Sequence, residues 1–479
     1  MKRMILGACL VLSTAIATTP TGAQTSSVAT LDPALVEQAA KLRAKGLSDQ
    51  QGYKLIEGLT TEIGPRLAGS DREAAARQWA LKTLKDLGFE TARIEPFTMD
   101  GWARGVETAR IVGEAVQPLH ITALGGSVAT PEDGITAQVV RFTDLYELEA
   151  APKGSLDGKI AFVDLKLYRS QDGSGYGNTN YIRGNSPSVA AQKGAVGVLI
   201  RSVGTDSHRF PHTGGTRYKD GIAKIPAAAL SNPDADQLAR LLERGTAQVH
   251  MTLTPKALGP VQSGNVIAEI KGTEQPEKII VIGGHLDSWD LGTGAVDDGA
   301  GVGITTAALK LIKDSGFAPK RTIRLVLWGA EEVGLLGARA YAEAHKDELA
   351  DHVIAAESDF GAGRVWDFRT RVGEEDLPFT NAIHRQLRPL GIGRGANDAG
   401  GGPDVIPLRM AGVPVAALYQ DGTDYFDLHH TANDTFDKID LADIQQNIAA
   451  YAVFAWLAAN LDVEFRPQAD APEQAGTQN

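Results

Sequence analysis

The stretch that decides the fold is residues 279–301, which read IIVIGGHLDSWDLGTGAVDDGAG. The four apolar residues Ile279 to Ile282 are typical of a buried strand, and two glycines then open the chain into a loop. His285 and the pair Asp297-Asp298 lie in that loop, before a segment whose apolar residues have helical spacing. The stretch therefore predicts a strand, a loop that carries ionisable side chains, and a helix, in that order.

The same alternation of strand and helix continues from residue 265 to residue 461. The strands are continuous runs of Ile, Val and Leu, so both faces of the sheet should be covered by helices. The sequence thus predicts an α/β fold with a mixed, mostly parallel sheet flanked by helices. The predicted strands are 266–270, 279–283, 322–327 and 353–356, and the predicted helices are about 301–313, 332–345, 377–390 and 441–461.

Ionisable residues follow the other predicted strands as well. They are Glu331-Glu332 after 322–327, Glu357-Ser358-Asp359 after 353–356, and His429-His430 after the apolar run 413–418. Because ligands bind beyond the carboxyl ends of the strands in such sheets, these side chains should meet at one edge. Each pair taken alone is typical of a helix cap or of a contact with a helix dipole. Their common register favours a cation site, since crowded carboxylates repel one another.

The residue types at this edge restrict the metal. The chain has one cysteine, so no thiolate cluster can hold a metal, and two imidazoles with carboxylates suit zinc, with manganese or cobalt as alternatives. If two metals bind, one carboxylate must bridge them. Asp287 is placed to orient His285, and of the adjacent Glu331 and Glu332 one can bind metal and the other act as general base. The predicted donors are the nitrogens of His285 and His430 and the oxygens of Asp297, Glu332 and Asp359.

The net charge and the N-terminal segment indicate which binding partners and which cellular location to expect. The chain has 47 Lys and Arg against 59 Asp and Glu, a formal net charge of −12, which argues against nucleic acid because phosphate binding needs a basic surface. Residues 1–23 combine Lys2-Arg3, a short apolar run and small residues, the pattern of a secretory signal peptide. That run is shorter than the about 20 residues that a membrane span needs. We expect a secreted or periplasmic protein without a membrane span.

Changes of composition along the chain predict its domains. The block 119–260 has short β-type runs and turns rich in Gly, Asp and Ser, so it should be an inserted β-rich domain. Within it, 168–187 is polar and glycine-rich and predicts a surface loop. Helices are predicted in 31–59 and 71–87, and a strand in 89–97. The predicted segments are a signal peptide (1–23), N-terminal helices with the first part of the main domain (24–118), the insert (119–260), the main part of the main domain (261–465) and a disordered tail (466–479).

Several motifs resemble those of the co-catalytic zinc exopeptidases, a family that includes secreted bacterial aminopeptidases and glutamate carboxypeptidases. The resemblance runs from about Leu59 to Leu461. Its motifs are Ala123-Leu-Gly-Gly-Ser127, Leu199-Ile-Arg-Ser-Val203, Pro211-His-Thr-Gly214, Gly284-His-Leu-Asp-Ser-Trp-Asp290 and His430-Thr-Ala-Asn-Asp434. The resemblance implies the zinc exopeptidase fold, with the insert as a protease-associated domain.

The resemblance also implies roles for the site residues. Its expected ligands of two zinc ions per chain are His285, Asp297, Glu332, Asp359 and His430. Asp297 would bridge the ions, Glu331 would be the general base, and the His-Thr-x-x-Asp match selects His430 over His429. The implied substrates are dipeptides, or short peptides that lose their N-terminal amino acid. An Asp rather than a Glu at 359 favours release of uncharged over acidic amino acids.

Other functions remain open at this point. A single-zinc acyltransferase of the glutaminyl cyclase type shares the scaffold, and a carboxypeptidase could act on acidic dipeptides. A binding protein that has lost its ligands is disfavoured by the complete ligand set. A dinucleotide loop at Gly299-Ala-Gly301-Val-Gly303 is disfavoured because the third glycine falls one residue early. Pro211-His-Thr-Gly214 could approach the site from a neighbouring domain or subunit, and the sequence leaves a homodimer possible.

Overall fold

The computed structural model describes residues 28–113 and 116–466. The predicted signal peptide, and the predicted tail beyond Arg466, lie outside the described residues. The strands are, in chain order, β1 (Arg93–Ala103), β2 (Glu107–Val112), β3 (Gln117–Leu119), β4 (Ile121–Ala123), β5 (Ile135–Phe142), β6 (Ile160–Val163), β7 (Gly197–Arg201), β8 (Ala227–Leu230), β9 (Gln248–Leu253), β10 (Lys256–Ile270), β11 (Gln275–His285), β12 (Arg321–Trp328), β13 (His352–Glu357), β14 (Val365–Arg371), β15 (Gly393–Arg394) and β16 (Val415–Gln420).

The helices occur between these strands and at both ends of the described chain. They are α1 (Pro33–Gly46), α2 (Gln51–Gly58), α3 (Asp71–Asp86), α4 (Leu145–Ala150), α5 (Ser174–Gly177), α6 (Tyr181–Gln192), α7 (Asn232–Arg244), α8 (Ala300–Asp314), α9 (Leu336–Ala344), α10 (Leu377–Leu387), α11 (Ile406–Met410), α12 (Tyr425–Leu428) and α13 (Leu441–Asn460). Several begin at a side chain that accepts a hydrogen bond from the first turn, as Ser70 does for α3 and Asp440 for α13.

The first of two eight-stranded sheets has the order β1-β10-β12-β11-β13-β16-β14-β15. Its four central strands, β12, β11, β13 and β16, run parallel to one another. Antiparallel pairs extend the sheet on both sides, β10 with β1 and β12 on one side and β14 with β16 on the other. The prediction of a mixed, mostly parallel sheet is therefore confirmed, because four of its strand pairs are parallel and three are antiparallel.

Helices cover both faces of this sheet because its central strands are apolar on both faces. In β11, Ile280 and Ile282 pack into the core beneath α8 and α13. Ile279 and Val281 point to the opposite face, into a second cluster that includes Ala338 of α9 and Leu408 of α11. Helix α13 is almost wholly buried, which explains why its sequence is apolar on every side.

The second sheet has the order β3-β2-β9-β5-β6-β7-β8-β4 and its own apolar cluster. Its strands lie between Glu107 and Leu253, so they do not coincide with the predicted segment 119–260. Strand β2 precedes residue 119, and β10, which starts at Lys256, pairs with β1 in the first sheet. The chain leaves the first sheet after β1 and returns to it in β10, which pairs with β1. The pattern of the sequence does not mark either of these two points.

Two local predictions are wrong. The segment 168–187, predicted as a surface loop, contains α5 and the first half of α6, and Ile182, Ser186 and Pro187 are buried. The helix predicted from residue 332 begins at Leu336, because Leu335 has a left-handed backbone (φ 59°) that breaks it. Glu331 and Glu332 consequently lie in a turn before the helix, not in its first turn.

Within the described ranges, no helix is both long enough and apolar enough to cross a lipid bilayer.

Candidate metal centre

The ends of the parallel strands bring the predicted residues together. His285 is the last residue of β11, Asp359 lies two residues beyond β13, and Glu332 lies four residues beyond β12. Asp297 comes from the turn that precedes α8, and His430 from the loop after α12. Their side chains are nearly inaccessible, between 1% and 7% exposed. The edge of the sheet therefore collects the five predicted ligands in one buried group.

Asp297 lies at the centre of this group. Its Oδ1 is 3.0 Å from Nε2 of His285, and its Oδ2 is 3.3 Å from Nε2 of His430. Asp359 lies on the first side, with Oδ1 3.5 Å from Nε2 of His285. Glu332 lies on the second side, with Oε2 2.9 Å from Nε2 of His430. We call these two sets the His285 position (His285, Asp297, Asp359) and the His430 position (Asp297, Glu332, His430).

His429 also lies beside Asp297, although the motif match favours His430. Its Nε2 is 3.7 Å from Oδ2 of Asp297, and its ring stacks on that of His430 with a centroid separation of 3.4 Å. A three-residue group of Asp297, His429 and His430 is therefore also compact enough to hold a metal ion. His430 differs from His429 in that its Nε2 approaches two carboxylates, those of Asp297 and Glu332.

Asp287 supports both sides of the group. Its backbone carbonyl lies 2.9 Å from Nδ1 of His285, which fixes that ring, while its own Oδ1 is 3.8 Å from the same nitrogen. Its carboxylate accepts hydrogen bonds from the backbone N–H groups of Glu331 (3.0 Å) and Glu332 (3.4 Å). The predicted orientation of His285 by Asp287 thus runs through the carbonyl, and the carboxylate holds the turn that carries the two glutamates.

Two further supporting residues were missed by the sequence reasoning. Asp434 accepts hydrogen bonds from the backbone N–H groups of Ala295, Val296 and Asp297, at 2.8, 2.6 and 3.2 Å. The fully buried Arg66 donates to the carbonyls of Thr293 (2.7 Å) and Gly294 (2.8 Å). Asp434 could have been found from its place in the His-Thr-x-x-Asp motif, whereas no local signal marks Arg66.

The electrostatics of the group indicate uncompensated negative charge. Burial raises the pKa of Glu332 well above its ordinary value, and the neighbouring carboxylates of Asp297 and Glu331 add to the effect. Burial likewise raises the pKa of Glu331, with Asp359 and Asp287 contributing. Buried carboxylates that raise one another's pKa are stabilised by a cation placed between them.

The polar atoms of the group fit a metal ion. Oδ2 of Asp297 and Oε1 of Glu332 are buried and receive no hydrogen bond from any described residue. Burial and the adjacent His429 ring lower the pKa of His430 well below its usual range, which favours the neutral imidazole that binds metals. Neutral imidazole and orphaned carboxylate oxygen are the donors that a divalent transition metal requires.

A cavity of about 530 Å³ opens over the group. Glu331, Glu332 and Asp359 lie in its wall, together with the Gly400–Pro403 segment. Another part of its lining belongs to the chain between Glu107 and Leu253 and includes Arg183 and Arg217. The second sheet and its helices therefore complete the pocket that the first sheet begins.

Comparisons with known proteins agree with this fold. Residues 265–455 match the sequence profile of peptidase family M28. Human carboxypeptidase Q is 35% identical over 422 residues, which cover 88% of this chain and 88% of that protein. A crystal structure of a peptidase M28 precursor from Shewanella amazonensis SB2B is 50% identical, with a TM-score of 0.90 over 91% of this chain and 99% of that one.

A more distant structure shares the fold. An aminopeptidase from Aneurinibacillus sp. strain AM-1 superposes with a TM-score of 0.62 at 23% identity, over 92% of this chain and all of that one. Together with the site, these matches define a metallo-exopeptidase, a hydrolase. The chain belongs to peptidase family M28, and it is similar to carboxypeptidase Q over most of the length of both proteins.

Proposed function

We propose that the protein is a dinuclear zinc exopeptidase that hydrolyses dipeptides or releases N-terminal amino acids from short peptides. The observation that carries this proposal is the position of Asp297, whose two carboxylate oxygens face two different histidines. A carboxylate in that position is suited to bridge two metals, as in co-catalytic sites. The zinc is proposed from the donor set and from a related zinc aminopeptidase of Bacillus subtilis, which shares the fold.

The proposed ligands are His285 and Asp359 on one side, Glu332 and His430 on the other, and Asp297 between them. Bound zinc would polarise the scissile carbonyl and lower the pKa of the attacking water. Other residues of the chain position the proposed ligands. Asp287 and Asp434 fix the backbone that carries the proposed ligands.

Glu331 is proposed as the general base. It lies in the wall of the cavity next to Glu332, and its backbone N–H is fixed by the carboxylate of Asp287. A carboxylate in this position, in the cavity wall beside the proposed ligands, is suited to act as a general base. Glu331 would take a proton from the attacking water and return it to the amine that leaves when the peptide bond breaks.

The second sheet, with its strands between Glu107 and Leu253, is proposed to be a protease-associated domain inserted into the catalytic domain. Its contribution of Arg183 and Arg217 to the cavity favours substrates that carry a carboxylate near the reacting bond. Carboxypeptidase action on dipeptides is therefore the second candidate, beside aminopeptidase action. Export to the periplasm or the medium is proposed from residues 1–23.

The experiment that tests this function combines metal analysis with a substrate panel. Purified protein is measured for zinc and then assayed on dipeptides, on the same dipeptides with a C-terminal amide, and on N-acetylated dipeptides. We expect two zinc ions per chain, loss of activity with a chelator, and recovery with added zinc. One ion per chain with cyclase activity on N-terminal glutamine would instead identify the acyltransferase, and no cleavage of any peptide would contradict the proposal.

Preference for free carboxylates separates the two candidates. If Arg183 and Arg217 bind a carboxylate, the C-terminal amides should be cleaved more slowly than the free dipeptides. Equal rates would favour aminopeptidase action, in which only the N-terminus of the substrate is recognised.

A further inference from the structure

The Pro211-His-Thr-Gly214 segment of the second-sheet region reaches the loop that carries His430. His212 is buried, with 1% of its surface exposed, and its Nδ1 lies 2.7 Å from the backbone carbonyl of His429. Its Nε2 lies 2.8 Å from Oδ1 of Asp206. Since a carbonyl and a carboxylate are both acceptors, the imidazole faces an acceptor at each ring nitrogen. His212 is thus held between Asp206 and the backbone of the metal-site loop.

Asp206 is itself held in place by burial and by hydrogen bonds. Its side chain is 1% exposed. Oδ1 also accepts a hydrogen bond from Nδ2 of Asn232 (3.0 Å), and Oδ2 accepts one from the backbone N–H of His208 (2.8 Å). Gly204 leaves the room that the ring needs, because a Cβ at that position would lie 2.1 Å from Nε2 of His212. The pair is therefore a built arrangement in the core of the second-sheet region.

The next residue of the segment contacts His430 itself. The backbone N–H of Thr213 donates to the carbonyl of His430 at 3.0 Å. In return, Nδ1 of His430 lies 3.2 Å from the carbonyl of Thr213. In the tautomer in which Nδ1 donates to this carbonyl, Nε2 keeps its lone pair and faces Asp297 and Glu332. Nη1 of Arg183 also lies 3.3 Å from Nδ1 of His430, so contacts from the second-sheet region fix the direction of the ring.

The backbone of His430 needs such support. Its φ is +63°, in the left-handed region that residues other than glycine rarely adopt. A residue keeps such a conformation only where the surrounding structure holds it there. The contacts from His212 to the carbonyl of His429, and from Thr213 to the carbonyl of His430, lie on the two peptide units that flank this strained residue.

We propose that Asp206 and His212 form a positioning pair that holds the His429-His430 backbone and so sets the metal affinity of the His430 position. The His285 position, which the pair does not contact, should be independent of it. The inference rests on the proposed function, because it assumes two metal positions. Partners of metal ligands typically change affinity by about 10- to 100-fold when they are removed.

Two isosteric substitutions separate the two hydrogen bonds of His212. The amide nitrogen of Asn can take the place of Nδ1, whereas that of Gln takes the place of Nε2. His212→Asn therefore keeps a donor for the carbonyl of His429, and His212→Gln loses it and keeps the contact with Asp206. His208→Ala is the matched control, because His208 is exposed and contacts Asp206 through its backbone N–H, which alanine keeps.

The measurement is a calorimetric titration of each metal-free protein with Zn²⁺. Wild type and His208→Ala should bind two ions with the same two affinities. His212→Gln should bind one of the two ions about tenfold or more weakly and the other as in wild type. His212→Asn, which keeps the donor to the carbonyl of His429 but loses the contact with Asp206, should weaken the same ion by less than His212→Gln does. A general loss of structure would weaken both ions, so the selective change identifies positioning.

Different outcomes of this titration would contradict the proposed function and the proposed positioning role. If wild type binds fewer than two ions, the proposed dinuclear function fails. If wild type binds two and His212→Gln binds both as wild type does, the positioning role fails. Should the thermal unfolding midpoint show that His212→Gln is unfolded, Asp206→Asn replaces it and should weaken the same single ion. An unchanged titration of folded Asp206→Asn would then overturn the inference.

Discussion

At the scale of single residues, the adjacent Glu331 and Glu332 have different surroundings. Both line the cavity, but Oε2 of Glu332 lies 2.9 Å from Nε2 of His430, within the metal group, whereas Glu331 belongs to neither metal position. The sequence could predict that one of the two glutamates binds metal. The geometry of a helix does not explain which one, because the helix begins only at Leu336. Their divergence comes from a turn held by Asp287, a contact between residues more than 40 positions apart.

Glu331→Gln tests the difference between these neighbours. The amide keeps the size of the side chain but cannot accept the proton, so turnover should fall by about 100-fold or more while zinc content stays at the wild-type value. Peptidase rates and metal analysis on the same preparation check this. Glu332→Gln is the matched control and should lose metal. Near wild-type turnover of Glu331→Gln would show that another group is the base.

At the scale of elements, close helix packing explains the glycines that resemble a dinucleotide loop. A Cβ at Gly301 would lie 1.9 Å from the carbonyl oxygen of Ser358, and a Cβ at Gly303 would lie 2.5 Å from Ile56 of α2. These glycines let α8 lie close to Ser358, the residue after β13, and to α2. The spacing of the glycines is enough to disfavour a dinucleotide-binding loop. The reason why glycine is needed here could not be predicted, because it depends on contacts with residues distant in the chain.

Gly303→Val should separate α2 from α8. The added methyl groups would meet Ile56 and the carbonyl of Gly52, so the free energy of unfolding should fall by about 1–3 kcal/mol. Urea unfolding checks this from the transition midpoint. Gly184→Ala in α6 is the control, because a Cβ there meets nothing within 4 Å, and it should leave stability unchanged or slightly raised. Equal stability of Gly303→Val and wild type would contradict the packing role.

At the scale of the whole molecule, the sequence predicted the first sheet better than the second. The strands 279–283, 322–327 and 353–356 are continuous apolar runs, and each is confirmed within β11, β12 and β13. The boundaries of the second sheet could not be predicted, since β2 and β10 are partly exposed strands whose partners are set by tertiary pairing. The contact of His212 with His429 likewise joins residues 217 positions apart.

A buried histidine away from the site makes the stability of the molecule depend on pH. Burial lowers the pKa of His352 from 6.5 to about 4, and the nearby Arg324 guanidinium adds to the effect. The unfolded chain therefore binds a proton between pH 6.5 and pH 4 that the folded chain does not. Stability is full above pH 6.5 and falls as the pH drops, by about 2 kcal/mol between pH 7 and pH 5 from this group.

His352→Asn isolates that contribution. The Asn amide can still donate to the carbonyl of Glu348, which accepts from Nδ1 of His352 at 2.9 Å, but it does not titrate. The loss of unfolding free energy between pH 7 and pH 5 should be about 2 kcal/mol smaller in the variant than in wild type. Urea unfolding at the two pH values provides the comparison. Parallel pH profiles of the two proteins would show that His352 is not the group responsible.

The most direct test of the two-metal site is anomalous diffraction at the zinc edge from crystals of the zinc-loaded protein. Two peaks about 3.5–4 Å apart are expected, one on each side of the Asp297 carboxylate. The first should lie next to His285 and Asp359, and the second next to Glu332 and His430. A single peak, or two peaks that do not share Asp297, would contradict the account.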